Sequence, residues 1–282
     1  MFKFNTSFVK IFLFCLVSGA VSAPSALAQQ DNFSIKSEIL QETREIVVHL
    51  PENYDPENMD GYPVLYMLDA GQGNHDGGQT YDEIVAQIAR EHYKAKIMPE
   101  VIVIGVKNIR RGYDLTPHFI SREWDGKQVF GNGDKFLAFI KNELIPFSSK
   151  KFRTNGRRVF MGHSMAGRFI AYSLSQSPEL FDAYFITSQS VGTYGDQIYN
   201  DLKLVFKQDL DFPTFIYVSV GGDEIPSMIT SYERLTTVLE QHLPAQVKLF
   251  HEINAGKDHH SNEAISRSTA LKMYFSIPPG TR

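Results

Sequence analysis

The sequence predicts an α/β fold: a mostly parallel central sheet flanked by helices on both faces, a three-layer sandwich. Three observations lead there. Tyr62–Leu68 and Val101–Val106 are continuous apolar runs, as expected of strands buried on both faces. Such runs alternate with amphipathic stretches of helical spacing from Phe33 to Phe275. A third run, at Arg157–Gly162, passes through a turn of small residues into the apolar helical stretch beginning Phe169-Ile170. The 282 residues are 43% hydrophobic and 21% charged, enough for a sizeable core. No Pro/Ser-rich linker or shift in composition interrupts the chain, so residues 29–282 read as one domain. A formal charge of -4 and the lack of any basic-aromatic cluster argue against a nucleic-acid partner.

The first 28 residues read as a signal peptide. Lys3 and Lys10 make a positive start, and Ile11–Val21 is an apolar core short of a bilayer span. Ala26-Leu27-Ala28 is then the cleavage site ahead of Gln29; Val21-Ser22-Ala23 competes but is followed by Pro24. The single cysteine, Cys15, lies in this segment behind Phe14, a context unlike a lipoprotein acylation site. The mature chain is therefore expected to be periplasmic or secreted, free of thiols, and without stable membrane insertion.

Taken in order, Phe33–Ile39 and Glu45–Leu50 read as strands joined at Gln41-Glu42-Thr43, with Ile46, Val48 and Leu50 alternating onto one face. Pro51–Pro56 is a loop on its turn residues. The Tyr62–Leu68 strand ends in the glycine-rich Asp69-Ala70-Gly71-Gln72-Gly73-Asn74, at the end of a strand where α/β folds place ligands. Tyr81–His92 has helical spacing through Ile84, Val85, Ile88 and Ala89. After the Val101–Val106 strand comes a long polar segment, residues 107–133, holding the one tryptophan, Trp124. Lys135–Phe147 is a helix and precedes the strand at Arg157. Phe181–Thr187, Thr214–Val220 and Val247–Ile253 read as further strands. Gln197–Phe206, Ser231–His242 and Ala264–Phe275 read as helices.

Gly162-His163-Ser164-Met165-Ala166-Gly167 reads as a nucleophile elbow, a strand-to-helix turn that lifts a serine hydroxyl clear of the backbone. The usual pattern is G-x-S-x-G; here Ala166 takes the last position, which asks mainly for a small side chain. A serine nucleophile needs a base, and the base needs a carboxylate to fix its tautomer. The chain offers them in the order Ser, acid, His at strand ends: Ser164, then Asp223 or Glu224, then His259 or His260. An oxyanion would be met by the Met165 N–H and by a second N–H after Leu68, at Ala70 or Gly71. His251-Glu252 is not a zinc-protease motif, because Ala255 stands where the second histidine belongs.

Pro63–Asp69, Val103–Val106, Asp114-Leu115-Thr116-Pro117, Glu143–Phe147, Gly162-His163-Ser164 and Pro178–Tyr184 together resemble the "Putative esterase" family of α/β hydrolases, enterochelin-esterase-like and esterase D-like. The resemblance covers nearly the whole chain after the signal segment. It implies an α/β-hydrolase fold and a serine carboxylic ester hydrolase that works through an acyl-enzyme without a cofactor or metal. The family's His-x-Ser stretch matches His259-His260-Ser261 and selects His259. Its Val-Gly-x-x-Glu pattern matches Val220–Glu224 and selects Glu224. Relatives carry Gly-Gly where this chain has Ala166-Gly167, and tryptophans that Ser188–Gly192 lacks.

The substrate is then a small-molecule ester. An acyltransferase on the same machinery is one alternative, and a non-catalytic binding protein on a hydrolase scaffold is another. The 107–133 segment offers cationic and aromatic groups, Arg110 and Trp124 foremost, for a carboxylate-bearing or aromatic part of a substrate. A solvated loop with Trp124 packed on the sheet is the other reading of that segment.

Overall fold

The computed structural model describes residues 30–73, 78–120, 122–190 and 195–277, apart from the side chains at 123, 124 and 128. The signal segment read over residues 1–28 lies outside these residues.

The elements run β1 (Gln30–Ser37), β2 (Glu42–His49), β3 (Tyr62–Leu68), α1 (Tyr81–Lys94), β4 (Ile102–Val106) and α2 (Arg111–Asp114). A short hairpin of β5 (Arg122–Trp124) and β6 (Lys127–Phe130) leads to α3 (Gly133–Phe139) and α4 (Ile145–Lys151). Then come β7 (Thr154–His163), α5 (Met165–Gln176), β8 (Ala183–Thr187), α6 (Gly195–Val205) and β9 (Phe215–Gly221). The chain closes with α7 (Pro226–His242), β10 (Lys248–Asn254) and α8 (Ser261–Phe275). Among the described residues the main sheet has eight strands in the order β1-β2-β4-β3-β7-β8-β9-β10. β2 pairs antiparallel with both β1 and β4, and every other pairing in this sheet is parallel. The expected fold class is observed.

The two-residue period of the strands sorts side chains onto two cores. In β3, Tyr62, Val64, Tyr66 and Leu68 face the layer of α3 to α7, packing with Phe136, Phe169 and Leu235 in one cluster. Leu65 and Met67 face the other layer, with Val85 of α1 and Leu271 of α8. The chain leaves β3 toward β4 on one side and returns through β7 on the other, so the reversal of strand order opens a crevice at the carboxyl ends of β3 and β7.

Three local features differ from the sequence expectations, each for a stated reason. The turn between β1 and β2 lies earlier, over residues 38–41 with Gln41 at φ 55°. It is held by the Glu143 carboxylate, which accepts the N–H groups of Glu38 and Ile39 at 3.0 and 3.1 Å, a partner distant in sequence. The Lys135–Phe147 helix is interrupted by a π-turn at Ile140–Leu144, where the Ile145 N–H reaches the Ile140 carbonyl. Pro146 follows at once; it has no N–H and its ring would crowd the carbonyl four residues back, which the wider turn relieves. Residues 107–133 are structured rather than a plain loop, with α2 and the β5–β6 hairpin. The hairpin turns on Asp125-Gly126, both at positive φ (51° and 68°), the pairing that matches strand twist. Among the described residues no helix is long and apolar enough to cross a membrane.

Candidate active site

β7 delivers Ser164 into the crevice, and the backbone there is strained: Ser164 has φ 60° and ψ −121°. A non-glycine residue in such a region costs about 1–3 kcal/mol and persists only where its surroundings enforce it. Here they do. A Cβ on Gly162 would lie 2.7 Å from the Ala166 carbonyl carbon, and one on Gly167 would lie 2.7 Å from the Thr187 carbonyl oxygen. α5 therefore presses against β7 and the end of β8 with no room for a side chain at either glycine. Ala166 is fully buried and its methyl is accommodated, so the close-approach position is Gly167. The Ser164 N–H donates to Thr187 O at 3.0 Å, and the Ser190 N–H donates to Ser164 O at 3.2 Å. Met165 is the first residue of α5, so its N–H has no acceptor within the helix.

β9 ends at Gly221, and Glu224 lies three residues on. Its Oε1 accepts from the Ser188 hydroxyl at 2.6 Å and the Gly221 N–H at 2.8 Å. Its Oε2 contacts Nδ1 of His259 at 2.8 Å, and its side chain is wholly buried. Burial pushes this carboxyl up, but the hydrogen bonds from His259, Ser188 and Gly221 outweigh it, and the pKa falls below the ordinary 4.5. Asp223, by contrast, is exposed, and its N–H is tied to Lys257 O at 2.9 Å.

The loop after β10 packs closely on β9, since a Cβ on Gly221 would run into the Lys257 carbonyl. Asp258 accepts from the Ser261 N–H at 2.8 Å and hydroxyl at 2.7 Å, which sets the turn carrying His259 into α8. His260 is exposed.

His163, next to the nucleophile position, joins the two halves of the site. Its Nε2 lies 2.8 Å from the His259 carbonyl oxygen, so Nε2 carries the proton, and the two rings are 4.4 Å apart. Burial first, then the His259 and Arg267 charges, pushes its pKa well down, which keeps it neutral. The structure gives the Ser164 hydroxyl no hydrogen bond to the His259 ring among the described residues; such bonds commonly tighten only around substrate.

The loop after β3 carries Ala70 and Gly71. Asp69, at φ 63°, is held by a bidentate pair from Arg111 at 2.8 and 2.7 Å. The Ala70 N–H donates to Val106 O at 3.2 Å and the Gly71 N–H to Asp82 Oδ1 at 2.8 Å. Both N–H groups are thus already paired. The sequence expectation placed the second oxyanion donor at one of these two N–H groups. They are paired because Ala70 extends the ladder onto β4 while Asp82, at the start of α1, captures Gly71. His49 at 2.8 Å helps hold Asp82 against the cost of its burial, and its pKa is lowered to about 2.

Beside Met165 lies a cavity of about 320 Å³, lined among others by Thr116, Phe119, Ile120, Phe130 and Arg168. The 107–133 segment thus contributes a wall. Arg110, however, is exposed and stacks on the Tyr113 ring at 3.8 Å, away from that wall. Trp124 is placed in β5, and its side chain lies outside the described residues. Sequence reasoning missed Ser188, His163 and Arg168. Arg168 carried a readable signal: a single cation one helical turn after the serine, immediately before the apolar run Phe169–Tyr172. Among the described residues no group of three or more His, Cys, Asp or Glu side chains is arranged to hold a metal ion.

A strained serine at the end of a central parallel strand, an acid after a second strand and a histidine after a third sit in an α/β-hydrolase fold. The chain belongs to the family described as "Putative esterase", whose model matches residues 37–248. It is 28% identical over 172 residues to the ferri-bacillibactin esterase BesA of Bacillus subtilis, covering 53% of this chain and 55% of that one. It is 29% identical over 157 residues to the apo-salmochelin esterase of Escherichia coli, covering 51% and 46%. It thus spans about half the length of these curated relatives. Among solved structures it resembles an IroE-like serine hydrolase from Shewanella oneidensis (TM-score 0.73, 24% identity, 88% of this chain and 80% of that one). It also resembles the siderophore hydrolase EstA from Aspergillus nidulans (TM-score 0.74, 20% identity, 95% and 99%). At these identities the structural likeness speaks to the fold.

The lowered pKa of Glu224 has a consequence for stability. A carboxyl whose folded pKa lies below its unfolded value stabilises the fold fully above that unfolded value, about 4.5, and loses the contribution as pH falls through the folded one. Urea unfolding of the wild type and Glu224→Gln is therefore expected to show a stability difference at pH 6 that shrinks as pH falls below 4.5. A difference constant from pH 6 to pH 3 would show that the carboxylate is not held in its charged form by the fold.

Proposed function

We propose that the protein hydrolyses carboxylic esters through Ser164, His259 and Glu224. The observation that carries this reading is the contact of the buried Glu224 carboxylate with the half-buried His259 ring at 2.8 Å, with His259 tied through its carbonyl to His163, the residue before Ser164. Glu224 accepts the Nδ1–H of His259, which leaves Nε2 unprotonated and able to act as base. Ser164 Oγ attacks the ester carbonyl carbon and passes its proton to Nε2. The oxyanion is met by the N–H of Met165 and the positive end of α5. When the tetrahedral adduct collapses, the C–O bond to the alcohol breaks and His259 returns the proton to that oxygen. Water then attacks the acyl-serine with the same proton transfers, releasing the acid and restoring Ser164.

The curated relatives are named for ferri-bacillibactin and apo-salmochelin, and one solved neighbour is the siderophore hydrolase EstA. We extend the reading to siderophore-type esters as the first natural substrates to assay. On the sequence of residues 1–28, the site of action is outside the cytoplasm. N-terminal sequencing of the protein from a periplasmic or culture fraction is expected to begin at Gln29; an intact Met1 on membrane-bound protein would contradict this.

Steady-state assay of a short p-nitrophenyl ester tests the roles. Ser164→Ala is expected to abolish turnover, and Glu224→Gln to lower kcat by about 10² to 10⁴-fold, the cost typical of losing the acid that orients the histidine. Asp223→Asn should stay within about threefold of wild type, as expected of an exposed side chain. The reverse ranking of the two acids would move the role to Asp223.

A further inference from the structure

Arg168 is a buried cation, 7% exposed, on the first turns of α5. Its partners among the described residues are neutral: Thr116 Oγ1 at 2.8 Å and the Ser190 carbonyl at 3.4 Å, while its Nε is buried with no partner. No salt bridge reaches it there, and the charge that acts on it is another cation, Arg111, itself committed to Asp69. Burial first, then Arg111, pushes its pKa down to about 10, which still leaves it charged at neutral pH. Structural arginines this deeply buried are ordinarily matched by a carboxylate, because an uncompensated buried charge costs several kcal/mol. Arg168 lines the cavity beside Met165, whose wall also carries Arg122 and the apolar Phe119, Ile120 and Phe130.

The cavity belongs to one side of the nucleophile. None of its lining residues comes from the loops that carry Glu224 and His259. His259 has to protonate the departing alcohol, so the alcohol sits on the histidine side and the cavity takes the acyl side. Arg168 follows Ser164 by four residues, about 6 Å along the helix axis. On the ester-hydrolase reading above, we infer that this cavity is an acyl subsite for esters whose acyl chain ends in a carboxylate, with Arg168 as the residue that selects it. The apolar wall takes the methylenes, and the guanidinium fork pairs the terminal carboxylate.

The test compares p-nitrophenyl hydrogen glutarate with p-nitrophenyl valerate, of equal chain length, after subtraction of the uncatalysed rates. The wild type is expected to favour the glutarate ester in kcat/KM by at least about tenfold. Arg168→Met should lower that ratio by about 10- to 100-fold, the range for losing a charged hydrogen-bonded pair. A wild-type ratio near one, or a ratio unmoved by the substitution, overturns the subsite while valerate turnover leaves the hydrolase reading standing. If the wild type cleaves neither ester, that reading falls, and thermal melting with monomethyl glutarate decides the subsite. A rise in Tm in the wild type that is absent from Arg168→Met supports it, and no rise overturns it. Should Arg168→Met fail to fold, Arg168→Lys replaces it: a drop in the ester ratio is expected, since the cation stays but the fork is lost, and an unchanged ratio overturns the proposal.

Discussion

The end of β8 is the point on which the rest of the site depends. The Thr187 carbonyl accepts the Ser164 N–H at 3.0 Å, and it is also the atom that leaves no room for a Cβ on Gly167. The next residue, Ser188, at φ 46°, turns its hydroxyl to Glu224 at 2.6 Å and receives the Asn262 amide at 2.9 Å. One strand end therefore fixes the strained serine, seats the carboxylate and ties both to α8. The parallel register of β7, β8 and β9 makes this possible, because it brings three carboxyl ends level in one crevice. Tight packing converts a conformation costing about 1–3 kcal/mol into the fixed one.

Charge in the site follows from the same crowding. Glu224 is buried yet kept ionised by three hydrogen bonds, so it can hold an imidazole in one orientation and stabilise it once protonated. His163 is buried, pushed toward neutrality, and donates to the backbone of His259 without competing for its proton. Glu263, pushed up by burial, is balanced chiefly by Arg267 beside it. Among the described residues Arg168 stands apart in this network as a cation whose hydrogen-bond partners are neutral oxygens.

What could be read from the sequence was what local pattern encodes. Continuous apolar runs gave the parallel strands, and Gly162-His163-Ser164 followed by small residues gave the elbow. The strand ends narrowed the acid to Asp223 or Glu224 and the histidine to His259 or His260, and the family resemblance selected Glu224 and His259. The unread parts depend on contacts far apart in the chain. The β1–β2 turn is set by Glu143, more than a hundred residues away. The N–H groups of Ala70 and Gly71 are claimed by Val106 and Asp82, which no pattern near Leu68 announces. Ser188 was read only as a serine lacking the tryptophans of relatives, yet it braces Glu224. The Asp125-Gly126 turn was a local signal, outweighed by the polarity of the segment around it.

The central claim is that the strain at residue 164 presents an activated nucleophile. Covalent labelling tests this most directly. The purified protein would be treated with a fluorophosphonate, digested, and mapped by mass spectrometry. A single phosphonylated site at Ser164 is expected, with labelling slowed strongly by Glu224→Gln, because the histidine that activates the serine loses its orienting carboxylate. Labelling at another serine, or labelling that survives Ser164→Ala, would contradict the account.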